Sequence, residues 1–171
     1  MEDLATYIRD VPDFPKKGII FKDITTLLSD PYALDIALST MTEPFLESDV
    51  TKVIGIESRG FIFGAAIARS LGVGFVPIRK PGKLPAETVS VSYELEYGED
   101  TVQMHADAVE AGEKVLLVDD LLATGGTMEA ACTLVEGQGA NVIGIDFLIE
   151  LTLLNGRDKL KNHKIFSAIR Y

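Results

Sequence analysis

Short apolar runs alternate with segments of helical periodicity through most of the chain, and this pattern constrains the fold more than any other feature. The strand-like runs are 52–57, 73–78, 114–120 and 141–150. The helix-like segments between them are 60–72 and 127–137. Apolar strands that alternate with helices favour an α/β fold, in which a central, mainly parallel sheet is flanked by helices on both faces. Ligands of such sheets bind at the carboxyl ends of the strands, so function is expected there.

The N-terminal region follows a different pattern. Its first apolar residues recur at i, i+3, i+4 and i+7, which predicts a short amphipathic helix. These residues are Leu4, Tyr7, Ile8 and Val11. Residues 12–18 contain two prolines and a glycine that end this helix, and residues 19–25 are predicted to be extended. Asp30 and Pro31 form a helix start, as N-cap and first helical residue, and Pro44 should kink or end that helix.

Residues 88–108 predict an antiparallel hairpin inserted into the α/β core. Apolar and polar residues alternate strictly over 88–98 and again over 101–108, which is the period of a half-buried strand. The sequence GED at 98–100 separates the two runs and predicts the turn.

Composition limits the function classes. The 171 residues suggest one domain, residues 1–171. A net charge of -10 argues against general nucleic-acid or membrane-surface binding, because both need a basic surface. One cysteine, Cys132, fits a reducing compartment, and its small apolar neighbours predict a buried thiol. The absence of a signal-like N-terminus and of a long apolar run predicts a cytoplasmic protein. His105 and His163 lack metal-ligand spacing, so no direct metal ligand is assigned.

The run from Val115 to Thr127, VLLVDDLLATGGT, predicts a binding site at a strand end. Asp119 and Asp120 follow a strand that is apolar on both faces. The next residues, Ala123 to Thr127, open a helix. Glycines let backbone N–H groups approach an anion, and the helix N-terminus adds partial positive charge, so this loop suits a phosphate. It lacks the lysine of a Walker A loop.

The two carboxylates leave three interpretations open. They would repel a bare phosphate, but they suit a vicinal diol, whose two hydroxyls donate hydrogen bonds to them. A diol and a phosphate on one small molecule indicate ribose 5-phosphate or a derivative. The alternatives are a solvated strand end and a Mg2+ site, and the latter can coexist with diol binding.

Taken with its neighbours, this run resembles the phosphoribosyl diphosphate signature of type I phosphoribosyltransferases. The motifs, in order, are DVPDFPKKGIIFKDIT, GIESRGFIFG, IRKPGKLP, YELEYG and VDDLLATGGTM. As a set they are similar to the adenine-specific members of that family. The resemblance implies the type I phosphoribosyltransferase fold, with the hairpin as catalytic loop and a small N-terminal hood. It also implies a homodimer that joins adenine to 5-phospho-α-D-ribose 1-diphosphate, with Mg2+ bound mainly through the diphosphate, giving AMP and diphosphate in purine salvage.

The resemblance also assigns residues to each part of the substrates. Asp119 and Asp120 would hold the ribose hydroxyls. The 5-phosphate loop would consist of Ala123, Thr124, Gly125, Gly126 and Thr127. The diphosphate would be bound by Glu57, Ser58, Arg59, Arg79, Lys80 and Lys83, the last three partly across a dimer interface. Glu96 and Tyr97 would act in catalysis, with Glu96 assisting proton movement at the base. Adenine would be bound by Ile20, Phe21 and Lys22.

Two alternatives remain at this stage. An enzyme of the same fold could use another purine base, since the diol and phosphate sites do not identify the base. A regulator with this fold could bind nucleic acid, but it should show a basic face, which a net charge of -10 disfavours.

Overall fold

The structure is a computed structural model that describes residues 3–94 and 98–171. The chain divides into two compact units, Met1–Thr40 and Met41–Tyr171. No helix in the described residues is long and apolar enough to cross a membrane.

The N-terminal unit consists of a small antiparallel ribbon and two helices. A 3-10 turn at Leu4–Tyr7 is followed by strands β1 (Arg9–Pro12) and β2 (Ile20–Asp23), then by α1 (Thr25–Ser29) and α2 (Pro31–Thr42). The predicted helix from Leu4 to Val11 was therefore wrong in its second half. Val11 pairs with Phe21 in the ribbon, so strand pairing overrides the helical spacing.

The start and end of α2 confirm two sequence predictions. The Asp30 side chain accepts hydrogen bonds from the N–H groups of Tyr32 and Ala33, each at 2.9 Å, which is N-cap geometry. The helix ends at Thr42, and a 3-10 turn that contains Pro44 follows at Glu43–Phe45.

The C-terminal unit is built on a five-stranded parallel sheet. Its elements are β3 (Lys52–Ile56), α3 (Gly60–Leu71), β4 (Gly74–Ile78), β5 (Thr88–Glu94), β6 (Glu99–His105), β7 (Lys114–Leu122), α4 (Gly126–Glu136), β8 (Asn141–Glu150) and β9 (Ile165–Arg170). The sheet order is β4-β3-β7-β8-β9, with every pairing parallel. The predicted α/β class is confirmed, and β9 is a strand that the sequence pattern did not reveal.

Helices cover both faces of this sheet. On one face, Ile54 and Ile56 of β3 join the main apolar core with residues of α4. Between them, Gly55 faces the opposite side, where a Cβ would lie 3.0 Å from the Gly60 carbonyl at the start of α3. The missing side chain lets α3 approach β3, which brings the loop before α3 to the carboxyl edge of the sheet.

The hairpin β5–β6 forms a separate two-stranded sheet that packs on the α4 side of the core. Val102 and Met104 of β6 are fully buried in the main core. The predicted turn at 98–100 was wrong in position, because Glu99 and Asp100 belong to β6 and pair with Glu94 and Tyr93. The alternating pattern predicted the two strands, but cross-strand pairing fixed their register.

Cys132 is a core residue, as predicted. Its side chain lies on α4 and is almost fully buried. Burial, with a smaller contribution from the charge of Glu136, raises the pKa of the thiol to about 12. The thiol is therefore protonated at neutral pH and poorly nucleophilic.

Candidate active site

The two adjacent carboxylates lie at the carboxyl edge of the sheet, next to the loop that precedes α3. Strand β7 continues to Leu122, two residues beyond its predicted end, and pairs there with β8. Its other neighbour, β3, pairs with it only as far as Val118. Asp119 and Asp120 therefore lie where β7 has lost its partner on one side, and this opening forms the site.

Both carboxylates carry a cost of desolvation. Asp120 is 5% exposed, and its backbone N–H donates to Asp119 Oδ1 at 2.9 Å. Burial first, and then the negative charge of Asp120, raise the pKa of Asp119 well above its ordinary value. Burial also raises the pKa of Asp120, although the charge of Arg59 opposes that shift. Perturbed carboxylates in an opening of this kind are typical of functional sites.

Arg59 holds Asp120 in an ion pair. Its Nε lies 2.7 Å from Asp120 Oδ2, and the Arg59 side chain is 43% exposed. The next residue, Gly60, packs so closely on β7 that a Cβ would lie 2.8 Å from Asp119 Oδ1. The start of α3 is thus fixed against the carboxylates, and Arg59 can reach both Asp120 and the solvent.

Two cavities meet at Asp119. The larger has a volume of about 330 Å³ and is lined by Ile56, Glu57, Ser58, Arg59, Lys80, Asp119, Asp120, Leu121 and Thr127. The smaller, of about 80 Å³, is lined by Asp119 and by residues 121–128. The two linings therefore bring together the predicted ribose and 5-phosphate residues and four of the predicted diphosphate residues, Glu57, Ser58, Arg59 and Lys80, whereas Arg79 and Lys83 line neither cavity.

The smaller cavity is lined mainly by the loop Ala123–Thr127, which we call the 5-phosphate loop after the role that the sequence analysis predicts for it. Gly125 adopts φ +83°, a left-handed conformation that favours glycine, and forms the N-cap of α4 without a side-chain hydrogen bond. Because glycine has no side chain, Gly125 does not occupy the backbone N–H groups of the first turn of α4 as a capping side chain would. This geometry is suited to a phosphate at a helix N-terminus.

The predicted diphosphate cations are not equivalent. Arg79 donates to the Glu57 carboxylate through Nε at 3.2 Å and Nη2 at 3.3 Å, and the Lys80 backbone N–H donates to Glu57 at 2.9 Å. Burial opposes ionisation of Glu57, but these bonds outweigh it and lower its pKa. Lys83 is exposed. Glu57 thus organises residues 79–83, which we call the cationic loop, whereas the sequence analysis assigned Glu57 only to diphosphate binding.

Tyr93, which lies on β5 of the hairpin, links the cationic loop to the 5-phosphate loop. Its hydroxyl donates to Asp100 Oδ2 at 3.0 Å and lies 3.0 Å from Thr127 Oγ1. Lys80 Nζ lies 3.3 Å from the same hydroxyl and also donates to Asp100. Since the phenol has one proton and gives it to Asp100, Thr127 is the donor toward Tyr93. The sequence analysis treated Tyr93 only as an apolar strand residue, although the hydroxyl of a partly buried tyrosine usually needs a polar partner.

The predicted adenine-binding residues belong to the N-terminal unit. Phe21 is half-buried, and its ring meets the ring of Phe14 edge to face at 5.2 Å. Lys22 forms an ion pair with Asp10 across the ribbon at 2.7 Å. Ile20 is exposed. The predicted catalytic residues, Glu96 and Tyr97, lie outside the described residues.

The site offers carboxylate oxygens as possible metal ligands. Within residues 3–94 and 98–171, no group of three or more histidine, cysteine, aspartate or glutamate side chains is placed to hold a metal ion. Mg2+ is often bound through one or two carboxylates with substrate phosphates and waters as its other ligands. Asp119 and Asp120 fit that pattern. The site therefore suits a magnesium ion that arrives with a phosphorylated substrate.

Comparison with known proteins identifies close relatives. A family model described as a phosphoribosyl transferase domain matches residues 36–167. The chain is 56% identical over 171 residues to an adenine phosphoribosyltransferase of Nitrosococcus oceani, with both chains covered completely. A crystal structure of adenine phosphoribosyltransferase from Thermoanaerobacter pseudethanolicus matches with a TM-score of 0.94 and 53% identity, covering 98% of each chain. The enzyme from Saccharomyces cerevisiae, in complex with an imino-altritol bisphosphate and adenine, matches with a TM-score of 0.91 and 41% identity over 96% of each chain.

Proposed function

Because the chain belongs to the phosphoribosyltransferase family, among its adenine phosphoribosyltransferases, we propose that its reaction takes place at the carboxyl edge of the sheet around Asp119 and Asp120. The activity is that of a pentosyltransferase of purine salvage, which converts adenine and 5-phospho-α-D-ribose 1-diphosphate into AMP and diphosphate. The single observation that carries the site assignment is the junction of the two cavities at Asp119, beside Asp120 in the larger one.

The geometry supports one orientation of the sugar phosphate. The 5-phosphate would occupy the loop Ala123–Thr127, where backbone N–H groups and the Thr124 hydroxyl can donate, and where the Thr127 hydroxyl would turn from Tyr93 to the phosphate. The ribose hydroxyls would donate to Asp119 and Asp120. The diphosphate would then extend into the larger cavity toward Glu57, Ser58 and Arg59. Along this path the lining offers hydrogen-bond donors to the 5-phosphate, carboxylate acceptors to the ribose hydroxyls and the Arg59 guanidinium to the diphosphate.

Binding would exchange the ion pair between Arg59 and Asp120 for substrate contacts. The ribose hydroxyls would occupy the Asp120 acceptor, which releases Arg59 for the diphosphate. Arginine suits this role, because its planar guanidinium binds phosphate oxygens bidentately. The negative charges of Asp119 and Asp120 would also favour positive charge that develops on the ribosyl ring in the transition state.

The base would be bound and deprotonated by residues outside this edge. Ile20, Phe21 and Lys22 are proposed to bind adenine, supported by the family resemblance and by a partly exposed aromatic ring at Phe21. Glu96, with Tyr97, is proposed to assist proton movement at the imidazole ring of the base. Arg79, Lys80 and Lys83 are proposed to reach the diphosphate. Mg2+, bound mainly through the diphosphate, would neutralise the charge of that leaving group.

We further propose a cytoplasmic homodimer of single-domain subunits. The dimer is supported by large apolar side chains that the C-terminal unit exposes, namely Leu46, Ile62, Leu153 and Leu154. A cytoplasmic location is supported by a single, buried and protonated cysteine, which suits a reducing compartment.

A base-competition assay tests this assignment. Equal concentrations of adenine, hypoxanthine, guanine and xanthine are supplied with phosphoribosyl diphosphate and Mg2+, and the products are separated by chromatography. AMP should be the main product.

With adenine as the base, Asp120→Asn should raise the KM for phosphoribosyl diphosphate, since loss of a charge-assisted hydrogen bond costs about 1.5–3 kcal/mol. Asp35→Asn, at an exposed position of α2, serves as control. An Asp120→Asn enzyme with wild-type kinetics would rule out the ribose site.

A further inference from the structure

A short segment after β8 packs against the back of the 5-phosphate loop. It begins at Gly156, the first residue of a 3-10 turn at Gly156–Leu160. A Cβ on Gly156 would lie 2.3 Å from the Ala123 carbonyl oxygen and 2.8 Å from Leu122 Cδ1. Reciprocally, a Cβ on Gly125 would lie 2.5 Å from the Gly156 carbonyl oxygen. Backbone thus packs directly on backbone, which requires glycine on both sides.

The segment cannot easily recede from the loop. Arg157, next to Gly156, forms two hydrogen bonds with the Glu150 carboxylate, from Nε at 2.6 Å and from Nη2 at 2.8 Å. Glu150 is the last residue of β8 and is 5% exposed. At the other end of the turn, Leu160 is 1% exposed in the main core. Gly156 is therefore held at a fixed position by the sheet and the core.

We propose that Gly156 is a positioning residue for the 5-phosphate: it fixes the shape of the loop Ala123–Thr127 so that its N–H groups converge on one phosphate. This role rests on the proposed function, in which that loop binds the 5-phosphate. A side chain on Gly156 would push against the Ala123 carbonyl and displace the loop, while the diphosphate side of the site would stay in place. The expected defect is therefore selective for ligands that carry the 5-phosphate.

Two simple ligands separate the halves of the site. Ribose 5-phosphate contains the 5-phosphate without the diphosphate, and inorganic diphosphate with Mg2+ contains the reverse. Titration calorimetry on Gly156→Ala should show affinity for ribose 5-phosphate reduced on the order of tenfold to a hundredfold, because small displacements of binding groups have effects of that size. Affinity for diphosphate should stay at the wild-type value. In kinetics, the KM for phosphoribosyl diphosphate should rise, while the KM for adenine should not.

Gly144→Ala is the matched control. A Cβ at Gly144 would lie 2.7 Å from Phe45 Cε1, so this change also introduces crowding, but at a position on β8 that meets a side chain and lies away from the loop. It should lower the melting temperature and leave affinity for ribose 5-phosphate unchanged. Arg157→Lys is a second test variant, since it loses the paired hydrogen bonds to Glu150 and keeps the charge. It should weaken ribose 5-phosphate binding in the same direction by a smaller factor.

The outcomes are distinguishable. A folded Gly156→Ala protein that binds ribose 5-phosphate as wild type, or that loses both ligands in proportion, overturns the positioning role. If that variant does not fold, unchanged binding in Arg157→Lys overturns it. Thr127→Ala reports on the proposed function itself, because it removes a hydroxyl of the loop. Unchanged ribose 5-phosphate binding in Thr127→Ala would contradict the site, whereas a loss there with normal binding in Gly156→Ala would contradict only the role of Gly156.

Discussion

At the scale of single residues, the site holds two carboxylates in conditions that destabilise the fold. A carboxyl whose pKa is raised in the folded state binds its proton more tightly there than in the unfolded chain. Its contribution to stability is therefore present below the unfolded pKa and is lost as the pH rises through the folded pKa. Asp119 and Asp120 both follow this sign. Packing alone would not favour two buried carboxylates, so the presence of Asp119 and Asp120 at the opening indicates a functional requirement.

Asp119→Asn should consequently make the protein more stable and less active. The amide removes the like charge beside Asp120, and its oxygen can still accept the Asp120 N–H. We expect a higher melting temperature at pH 8 and a higher KM for phosphoribosyl diphosphate, since the amide replaces an anionic acceptor by a neutral one. Thermal denaturation and steady-state kinetics on one preparation check both. A variant that loses stability along with activity would contradict the explanation.

Asp146 should make stability depend on pH in the same direction. It lies on β8 and is fully buried, and neither carboxylate oxygen has a hydrogen-bond partner among the residues that the structure describes. Burial raises the pKa of Asp146 well above its ordinary value. The free energy of unfolding of Asp146→Asn, relative to that of wild type, should therefore increase as the pH rises above about 4. The full increase is about 1.4 kcal/mol for each tenfold difference in proton affinity of Asp146 between the folded and unfolded states.

Urea denaturation from pH 4 to pH 8 measures that advantage for Asp146. Asp35→Asn, on the exposed side of α2, is the control and should show a difference that does not change with pH. A constant difference for Asp146→Asn across this range would mean that the native carboxyl titrates normally.

At the scale of elements, the hairpin is tied to two loops of the site through one hydroxyl. Tyr93→Phe removes the hydrogen bonds to Asp100 and Thr127 and leaves the apolar packing of the ring in place. We expect a higher KM for phosphoribosyl diphosphate, corresponding to about 0.5–1.5 kcal/mol for the neutral hydrogen bond that joins Tyr93 to Thr127 of the 5-phosphate loop. The KM for adenine should change less. Tyr32→Phe, at an exposed position of α2, is the control. Equal kinetics for both variants would show that the Tyr93 hydroxyl does not contribute to the site.

The cationic loop should be protected from trypsin by the sugar diphosphate. Lys83 is exposed, whereas the backbone N–H and carbonyl of Arg79 both pair with Gln103, at 2.9 and 2.8 Å. Lys80 precedes Pro81 and should resist cleavage. Cutting is therefore expected after Lys83, and phosphoribosyl diphosphate with Mg2+ should slow it by favouring the bound conformation. Mass spectrometry at saturating ligand gives the rates. Adenine alone should protect less, and equal rates with and without the sugar diphosphate would contradict a diphosphate contact at Lys83.

At the scale of the whole molecule, the proposed dimer can be tested by complementation. If Lys83 serves the site of the partner subunit, a hybrid of Lys83→Ala and Asp120→Asn subunits contains one site with both defects and one intact site. Random exchange makes about half of the dimers hybrid, so about a quarter of wild-type activity should return on mixing two weakly active variants. Light scattering verifies the dimer, and no recovery despite verified exchange would place Lys83 in its own subunit's site.

The sequence by itself determined the fold class, and it also predicted the chemistry of the main strand end. Periodicity is local information, so strands that alternate with helices predicted the parallel sheet, and the capped start of α2 followed from Asp30 and Pro31. The diol and phosphate interpretation of Asp119 to Thr127 also needed only residue type and spacing, because glycines and threonines at a helix start offer N–H and hydroxyl donors that suit an anion. The identity of the base came from motif resemblance, since the diol and phosphate sites are common to any base.

Only the tertiary structure decided how these pieces are partnered. The N-terminal apolar spacing of Leu4 to Val11 is compatible with a helix, yet pairing with β2 makes its second half a strand. The bonds of Glu57 to Arg79 and of Tyr93 to Thr127 join residues more than twenty positions apart. The contact of Gly156 with Gly125 likewise depends on β8 returning the chain to the same edge of the sheet. Side-chain types and spacings are written along the chain, whereas desolvation, ion-pair choice and backbone contact depend on what the fold brings into reach.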